Sequence, residues 1–235
     1  MFNTQKLKDL CADFITLDDV ACRRLSHYGE LLIEWNNKIN LTAITDPDEI
    51  LIKHFYDCLL FLRHTAVAPG AKIIDVGTGA GFPGLVLKIA RPDISLCLLD
   101  SLQKRITFLQ AVLEDLSLDV ETVHARAEEL ARKEQYREQF DIATARAVAR
   151  LNVLAEYCMP YVKIGGLFVS LKGPAAEDEV CEAAGALSML GGGECSAIRE
   201  CLPDGSARTI LTVRKISQTS TKYPRNSSKI SKQPL

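Results

Sequence analysis

A glycine-rich turn after a short β-branched run has the residue types needed to bind a ligand. Residues 77–84 read Gly-Thr-Gly-Ala-Gly-Phe-Pro-Gly, and an apolar stretch of helical character follows at residues 85–90. Pro83 suits the first helical position, where its missing N–H group would have no partner in any case. A strand, a glycine turn and a helix N-terminus present bare backbone to a ligand. The pattern predicts a nucleotide or an adenosyl cofactor at this turn.

The glycines alone leave open a dinucleotide, S-adenosylmethionine or a simple tight turn. Residues 79–84 fit the dinucleotide fingerprint G-x-G-x-x-G, and Asp100 lies about 20 residues further on, where such sites place a ribose-binding acid. Two neighbours favour S-adenosylmethionine. Asp75 suits an ammonium and a sulfonium but opposes a pyrophosphate. Bulky Phe82 and rigid Pro83 hinder the close approach that a pyrophosphate needs.

Three charged residues lie at or near the ends of later predicted strands. Asp100 ends the second strand and could accept hydrogen bonds from both ribose hydroxyls, or it could cap the helix from Leu102 onward. Glu128 could reach the adenine side, or it could be an ordinary first-turn acid. Arg146 follows the fourth strand, which places it near cofactor and substrate unless it is a surface cation.

These residues depend on elements that alternate from residue 71 onward. Candidate strands lie at residues 72–76, 95–99, 120–124, 141–145, 167–171 and 209–214, with a weaker one at 195–198. Candidate helices span residues 83–90, 102–116, 127–132, 150–157 and 175–189. The alternation predicts an α/β fold with a mostly parallel, doubly wound sheet and helices on both faces. Its ligand should lie beyond the carboxyl ends of the strands.

Two segments flank the main domain, which we place at residues 67–216. Residues 1–66 form a predicted helical extension, with a break at the asparagine-rich stretch 36–42 and a second helix starting near Asp46. Residues 217–235 form a basic tail, since no acidic residue follows Asp204. The tail is either a solvated, mobile end or an arm that binds phosphates.

The composition bounds the class of protein. Of the 235 residues 47% are hydrophobic and 25% charged, which is typical of a globular protein, and a net charge of -2 does not itself indicate nucleic acid. None of the eight cysteines forms a C-x-x-C pair, so we expect small buried hydrophobes rather than metal ligands. No run reaches the roughly 18 apolar residues of a membrane span. We expect a cytoplasmic protein without metal or membrane partner; a monomer is the default, although the sequence does not determine the oligomeric state.

Short motifs outside the glycine turn are more specific in combination than the turn itself. They are Trp35-Asn36-x-x-x-Asn40-Leu41-Thr42, Lys53-His54-Phe55-x-Asp57, Leu99-Asp100-Ser101-Leu102-x-Lys104-Arg105, Arg126-Ala127-Glu128, Phe140-Asp141 with Arg146-Ala147, Leu171-Lys172-Gly173 and Tyr223-Pro224-Arg225. From about residue 34 to the C-terminus, the chain resembles the bacterial ribosomal RNA small-subunit methyltransferase G family, also called glucose-inhibited division protein B. One departure lies in the tail, where Ser228 and Ile230 replace the family's usual glycine and proline.

The resemblance implies a seven-stranded, Rossmann-like class I methyltransferase that transfers a methyl group from S-adenosylmethionine to N7 of a guanine in 16S ribosomal RNA. The partner would be that RNA, the small ribosomal subunit or its assembly intermediate. The cofactor-binding residues that the resemblance implies are Gly77, Phe82, Asp100, Ser101, Leu102, Ala127, Glu128 and Arg146. The pattern of the glycine turn adds Asp75 and Gly79. The candidate phosphate contacts are Lys104, Arg105, Arg126, Lys172 and Arg225.

Guanine N7 is a hydrogen-bond acceptor with an in-plane lone pair, so it needs no general base before it attacks a methyl sulfonium. The predicted catalytic task is alignment of the reacting atoms, on a base that has left its stack. Arg146, Asn40 and His54 are the candidates for this task; Asn40 and Thr42 could read the base edge, and His54 is otherwise structural.

Three rival functions remain open on the sequence. A nicotinamide-dependent oxidoreductase would use the same glycines, although the Phe82-Pro83 pair opposes it. A methyltransferase could instead act on a small molecule or a protein. An RNA-binding regulator could keep the glycine turn without activity.

Overall fold

The computed structural model describes residues 2–174 and 176–235 of the chain. In this described part, seven strands form one sheet: β1 (Lys72–Val76), β2 (Ser95–Asp100), β3 (Glu121–His124), β4 (Phe140–Arg146), β5 (Val162–Lys172), β6 (Gly192–Cys201) and β7 (Ala207–Lys215). Their order across the sheet is β3-β2-β1-β4-β5-β7-β6. Neighbours among β1 to β5 are parallel, and β7 runs antiparallel to β5 and β6. The predicted mostly parallel, doubly wound sheet is confirmed.

The strand order reverses between β1 and β4, the point at which doubly wound sheets bind their ligands. From β1 the chain moves outward to β2 and β3, and then returns to the other side of β1 for β4 and β5. Asp75 of β1 is level with Leu98 of β2 and Thr144 of β4. The turns that leave the carboxyl ends of β1, β2 and β4 therefore meet in one region.

Helices surround the sheet, mostly within a few residues of their predicted positions. Those in the described residues are α1 (Thr4–Cys11), α2 (Asp19–Ile39), α3 (Pro47–Ile50), α4 (Asp57–His64), α5 (Gly84–Ala90), α6 (Gln103–Asp115), α7 (Ala127–Leu130), α8 (Leu151–Cys158), α9 (Ala176–Met189) and α10 (Ser227–Lys232). A π-helical stretch, Leu51–Tyr56, joins α3 to α4. Pro83 precedes α5 instead of opening it. Ala175, at which we predicted the start of α9, lies outside the described residues.

The end of α2 differs from the prediction. We expected the asparagine-rich stretch to break the helix from Asn36, but α2 continues to Ile39. Asn40 then adopts a left-handed conformation, with φ of 50°, and donates its N–H to the Asn36 carbonyl, which is a common way to end a helix. The Asn36 side chain accepts hydrogen bonds from the N–H groups of Leu41 and Thr42. The asparagines therefore shape the loop after the helix.

Each face of the sheet has its own apolar core. Helices α2, α4, α5 and α6 of the first face contribute buried Leu25, Phe61, Leu85 and Phe108, so the N-terminal helices belong to this core. Helices α8 and α9 of the second face contribute Leu154 and Ala183. Burial of these side chains supplies most of the stabilisation.

Five cysteines are buried, as predicted: Cys11, Cys22, Cys58, Cys97 and Cys158. The prediction is wrong for Cys181 and Cys201, which are exposed, because α9 and β6 turn these positions toward solvent. Among the described helices, none combines the length and apolar character that crossing a bilayer requires.

The C-terminal segment, residues 217–235, folds back onto the domain. Its residues Thr219, Pro224 and Ile230 are buried, and α10 contacts α8. The alternative of a solvated, mobile end is therefore wrong, because the segment has its own apolar and polar anchors.

Candidate active site

The glycine turn after β1 wraps around the buried carboxylate of Asp75. One oxygen of this carboxylate accepts hydrogen bonds from the Thr78 hydroxyl at 2.7 Å and from the Gly84 N–H at 2.8 Å. Gly77 has φ of +71°, and a Cβ atom at this position would lie 2.9 Å from the Val148 side chain. Only glycine fits both the backbone conformation and the space.

The second oxygen of Asp75, Oδ1, is buried without a hydrogen-bond partner among the described residues. Burial raises the pKa of Asp75 to about 6, although the hydrogen bonds from Thr78 and Gly84 favour the charged form. A buried acceptor without a partner calls for an explanation. A positively charged ligand on the turn, such as S-adenosylmethionine, would favour the charged form of this carboxylate, so the residues present fit the predicted cofactor.

A first cavity, the β1–β2 cavity, has a volume of about 290 Å³ and lies beyond the ends of these two strands. Its lining includes Gly77, Asp100, Ser101, Arg126, Ala127, Glu128, Val148, Tyr157 and Ser231. Asp100 is buried and accepts hydrogen bonds from the N–H groups of Gly79 and Leu102, each at 2.9 Å. Arg105 donates to the same carboxylate at 3.2 Å. Because a carboxylate has about four acceptor positions, Asp100 can still accept from one hydroxyl. The cavity gathers most of the predicted cofactor residues.

A second, central cavity of about 190 Å³ lies on the other side of the glycine turn. Its lining includes Leu41, Thr42, His54, Gly77, Gly79, Phe82, Arg105, Arg146 and Ala147. The His54 ring stacks on Phe82 with centroids 4.6 Å apart, and the Arg146 guanidinium lies 4.7 Å from the centre of the same ring. Tyr28 of α2 donates a hydrogen bond to the Ala80 carbonyl, which ties the N-terminal helices to the turn.

A third cavity, the β4–β5 cavity, has a volume of about 330 Å³. Its lining is Ile44, Lys53, His54, Asp57, Arg146, Ala147, Leu171, Lys172, Gly173 and Arg208. The central cavity shares Gly77 with the β1–β2 cavity, and shares His54, Arg146 and Ala147 with the β4–β5 cavity. The three cavities are therefore neighbours along the carboxyl ends of the strands.

Arg146 stands between the last two cavities in a buried network. Its guanidinium donates to Asp57 Oδ2 at 3.1 Å, to the Lys53 carbonyl at 3.2 Å and to His54 Nδ1 at 3.2 Å. The other Asp57 oxygen accepts from Arg208 Nε at 3.1 Å. One buried carboxylate thus holds two guanidinium groups in place, and the alternative that Arg146 is a surface cation is wrong.

Both ring nitrogens of His54 have polar neighbours. Nδ1 lies 3.2 Å from the Arg146 guanidinium, which can only donate, and 3.1 Å from the Lys53 carbonyl, which can only accept. Nε2 lies 2.9 Å from the Thr42 hydroxyl, which can donate or accept. Burial, together with the charge of Arg146, lowers the pKa of His54 to about 3. The imidazole is therefore neutral near pH 7.

Some predicted residues lie outside the three cavities. Asp75 lies beneath the turn, and the backbone of Leu102 bonds to Asp100 while its side chain is exposed. Asn40 ends α2 next to the lining residues Leu41 and Thr42 but does not line the cavities itself.

Two predicted phosphate contacts are already engaged. The Lys172 ammonium pairs with Glu179 at 2.8 Å, and its side chain is only 9% exposed. The Arg225 guanidinium pairs with the buried Glu156 at 2.6 Å. These pairings weigh against the predicted phosphate contacts, although Lys172 also lines the β4–β5 cavity. Lys104 and Arg126 are exposed, and Arg105 is half-buried beside Asp100.

Sequence reasoning missed the roles of Asp57, Arg208, Tyr157 and Ser231. The signal for Asp57 was present, since His54 and Asp57 are three residues apart in a helical stretch and share a face. Nothing local indicated Arg208, which is 151 residues from Asp57 in sequence.

Comparisons with known proteins agree with this geometry. Residues 21–203 match the family described as rRNA small subunit methyltransferase G. Ribosomal RNA small subunit methyltransferase G of Alkaliphilus metalliredigens is 46% identical over 232 residues, covering 97% of each chain. The protein of the same name from an Exiguobacterium species is 45% identical and covers 100% of both chains.

Solved structures share the fold at low sequence identity. The O-methyltransferase from Bacillus cereus in complex with SAH has a TM-score of 0.59 and 16% identity, covering 89% of this chain and 97% of that chain. TrmN from Thermus thermophilus has a TM-score of 0.52 and 17% identity, covering 71% of this chain and 53% of that chain. The sheet is that of the class I methyltransferases, and the chain belongs to the rRNA small subunit methyltransferase G family.

Proposed function

We propose that this protein transfers a methyl group from S-adenosylmethionine to N7 of a guanine in 16S ribosomal RNA. One observation carries the proposal: the β1–β2, central and β4–β5 cavities are neighbours at the strand reversal, and Arg146 and His54 line both the central and the β4–β5 cavity. This arrangement can place a cofactor on one side of the central cavity and a base on the other.

The β1–β2 cavity suits the adenosyl end of the cofactor. Asp100 can still accept from a ribose hydroxyl, and the buried Glu128 lines the same cavity beside Ala127. The Asp75 carboxylate lies beneath the glycine turn and holds Thr78 and Gly84 in place. When bound, the cofactor supplies an electrophilic methyl group, and the protein supplies its orientation.

The β4–β5 cavity suits the guanine. The neutral His54 is not needed as a base, because N7 attacks through a lone pair that carries no proton. Arg146, fixed by Asp57, can donate hydrogen bonds toward the base and favour one approach to the central cavity. Alignment of this kind can account for much of the rate enhancement.

Cations near the cavities fit the backbone of an RNA strand. Arg126 at the β1–β2 cavity and Lys104 on α6 are exposed. Arg105 of the central cavity and Lys53 and Arg208 of the β4–β5 cavity are half-buried, and each also pairs with a carboxylate. Their charges would attract phosphates and make binding depend on salt. Lys172 and Arg225 are not part of this surface. The bacterial cytoplasm, where ribosomal RNA resides, is the expected compartment.

The direct test is the nucleoside product. Unmodified 16S ribosomal RNA, free or in small subunits, is incubated with the protein and S-adenosylmethionine, digested, and analysed by mass spectrometry. We expect 7-methylguanosine in at least one of the two substrates. Methylation at another atom, or no methylated guanosine in either substrate despite measured cofactor binding, would contradict the proposal.

A further inference from the structure

The C-terminal segment, residues 217–235, does not offer its only arginine, Arg225, to a partner. Both side-chain oxygens of Glu156 accept hydrogen bonds from Arg225, and the Arg225 N–H donates to the same carboxylate at 2.7 Å. Glu156 lies on α8 with its side chain 1% exposed. A bidentate pair of this kind is rigid and directional. Arg225 is therefore an internal anchor, which contradicts its use as an RNA contact.

Further anchors hold the start of the segment. The Arg137 guanidinium donates to the carbonyls of Thr219, Ser220 and Tyr223 at 2.7 to 3.2 Å. Lys215 is fully buried and bonds to the Met159 carbonyl at 2.7 Å and to the Thr219 hydroxyl. These bonds satisfy backbone carbonyls that an extended arm would leave to water. The segment therefore has one defined path across the domain.

This path ends at the β1–β2 cavity. Ile230 of α10 is fully buried, and Leu235 packs against the second core. The next residue after Ile230, the exposed Ser231, lines the cavity together with Tyr157 of α8. Asp100 lines the same cavity. The segment thus contributes Ser231 to the lining of the space that we assign to the adenosyl group.

We propose that the C-terminal segment is part of the cofactor site, with Ser231 and Tyr157 contacting the adenosyl end, and that it is not an RNA-binding arm. The inference depends on the proposed use of S-adenosylmethionine in the β1–β2 cavity. Ligand sites bury most of their ligand between facing walls. Removing the end of this segment, or filling the cavity beside Ser231, should therefore weaken the binding of the cofactor. The RNA surface around Lys53 and Arg208 should stay intact.

The decisive variant is Ser231→Phe, which adds a ring to the cavity from an exposed position and leaves the core unchanged. Its matched control is the double variant Lys229→Ala, Lys232→Ala, which removes two exposed charges from the same helix. Calorimetry measures the Kd for S-adenosylmethionine, and filter binding measures RNA affinity at several salt concentrations without cofactor. We expect Ser231→Phe to weaken cofactor binding at least tenfold and the control to leave it within twofold. Neither should change RNA affinity or its salt dependence.

A second variant removes residues 227–235 and keeps the Arg225 anchor. It should lose cofactor affinity to at least the same extent and keep its RNA affinity. If this truncated chain does not fold, Ser231→Phe alone still decides the question. Cofactor binding equal to wild type in Ser231→Phe overturns the inference, and so does weaker RNA binding with a shallower salt slope in the lysine variant. Wild-type protein that does not bind S-adenosylmethionine would instead overturn the proposed function.

Discussion

The two ends of the sheet differ in how deeply their charged residues are buried, and the volumes of their cavities do not show this difference. The largest described cavity, about 620 Å³, lies at the amino ends of β1 to β4 and is lined by Lys72, Ser95, Glu121 and Phe140 among others. The polar residues of that lining are all exposed or half-buried. Several have local partners; Glu121, for example, accepts from the Tyr136 hydroxyl at 2.6 Å. The larger cavity is an ordinary solvent-exposed cleft between the amino ends of the strands.

The carboxyl ends carry smaller cavities but a concentration of buried charge. Asp57, Asp75, Asp100 and Glu128 are all buried there. Burying ionised groups is costly unless they are paired, and groups kept in this way often mark functional sites. The difference between the two ends shows that desolvated polar groups at the strand reversal locate the site better than the size of a cavity.

Replacing Arg146 should have the largest effect of changes at either end. Arg146→Ala removes the donor shared by the central and β4–β5 cavities, and we expect kcat/KM to fall by about 10³-fold, the scale for loss of a positioned electrostatic group. Methyl transfer to 16S ribosomal RNA measures this loss. Arg150→Ala is the control, since Arg150 is 58% exposed and pairs only with Glu182 at the surface among its described contacts. Equal activity in the two variants would remove Arg146 from the site.

Asp57→Asn should have the next largest effect, because it weakens the hold on Arg146 and Arg208 without removing either. A misplacement of about 1 Å can reduce the rate by 10²-fold, and we expect a fall in kcat on that scale. The Kd for S-adenosylmethionine should stay within about twofold, since Asp57 does not line the β1–β2 cavity. A weaker cofactor affinity with unchanged kcat would contradict the positioning role.

The neutral state of His54 should appear as a pH dependence of stability. The pKa of about 3 in the folded protein lies below the ordinary 6.5, so the stabilisation is complete above pH 6.5 and is lost as the pH falls toward 3. Each pKa unit corresponds to about 1.4 kcal/mol, so wild type should lose roughly 2 kcal/mol between pH 6.5 and about pH 5 through this group. Urea unfolding of wild type and His54→Gln at both pH values measures the difference. Parallel losses in the two proteins would show that His54 is not the group responsible.

Substitutions at the amino ends of the strands should have the smallest effect on activity. Glu121→Gln makes the same chemical change as Asp57→Asn, but in the larger cavity. We expect activity within about twofold of wild type and a change in unfolding free energy within about 0.5 kcal/mol, as for most surface changes. A loss of activity comparable to that of Asp57→Asn would abolish the distinction between the two ends.

The fold was predictable because its signals are local. Alternating strand and helix patterns from residue 71 onward gave the sheet and most helices, although β6 is longer than predicted because antiparallel pairing with β7 extends it, and β5 is longer because its first residue, Val162, pairs with Phe140 of β4. The predicted end of α2 was wrong, because the Asn36 side chain accepts a hydrogen bond from the following loop while the Asn36 backbone stays helical. The prediction of a mobile C-terminal end was wrong, because the basic composition of the segment does not indicate that Arg225 pairs with a buried acid.

The sequence by itself determined the glycine turn, the acids at the strand ends and the spacing of His54 and Asp57 in one helical stretch, since these depend on backbone conformation and periodicity. Only the tertiary structure decided which charges meet. Asp57 lies 89 residues from Arg146 and 151 from Arg208, and Glu156 lies 69 from Arg225. Pairs so distant form only when the strand order brings their elements together, and no local pattern encodes that order.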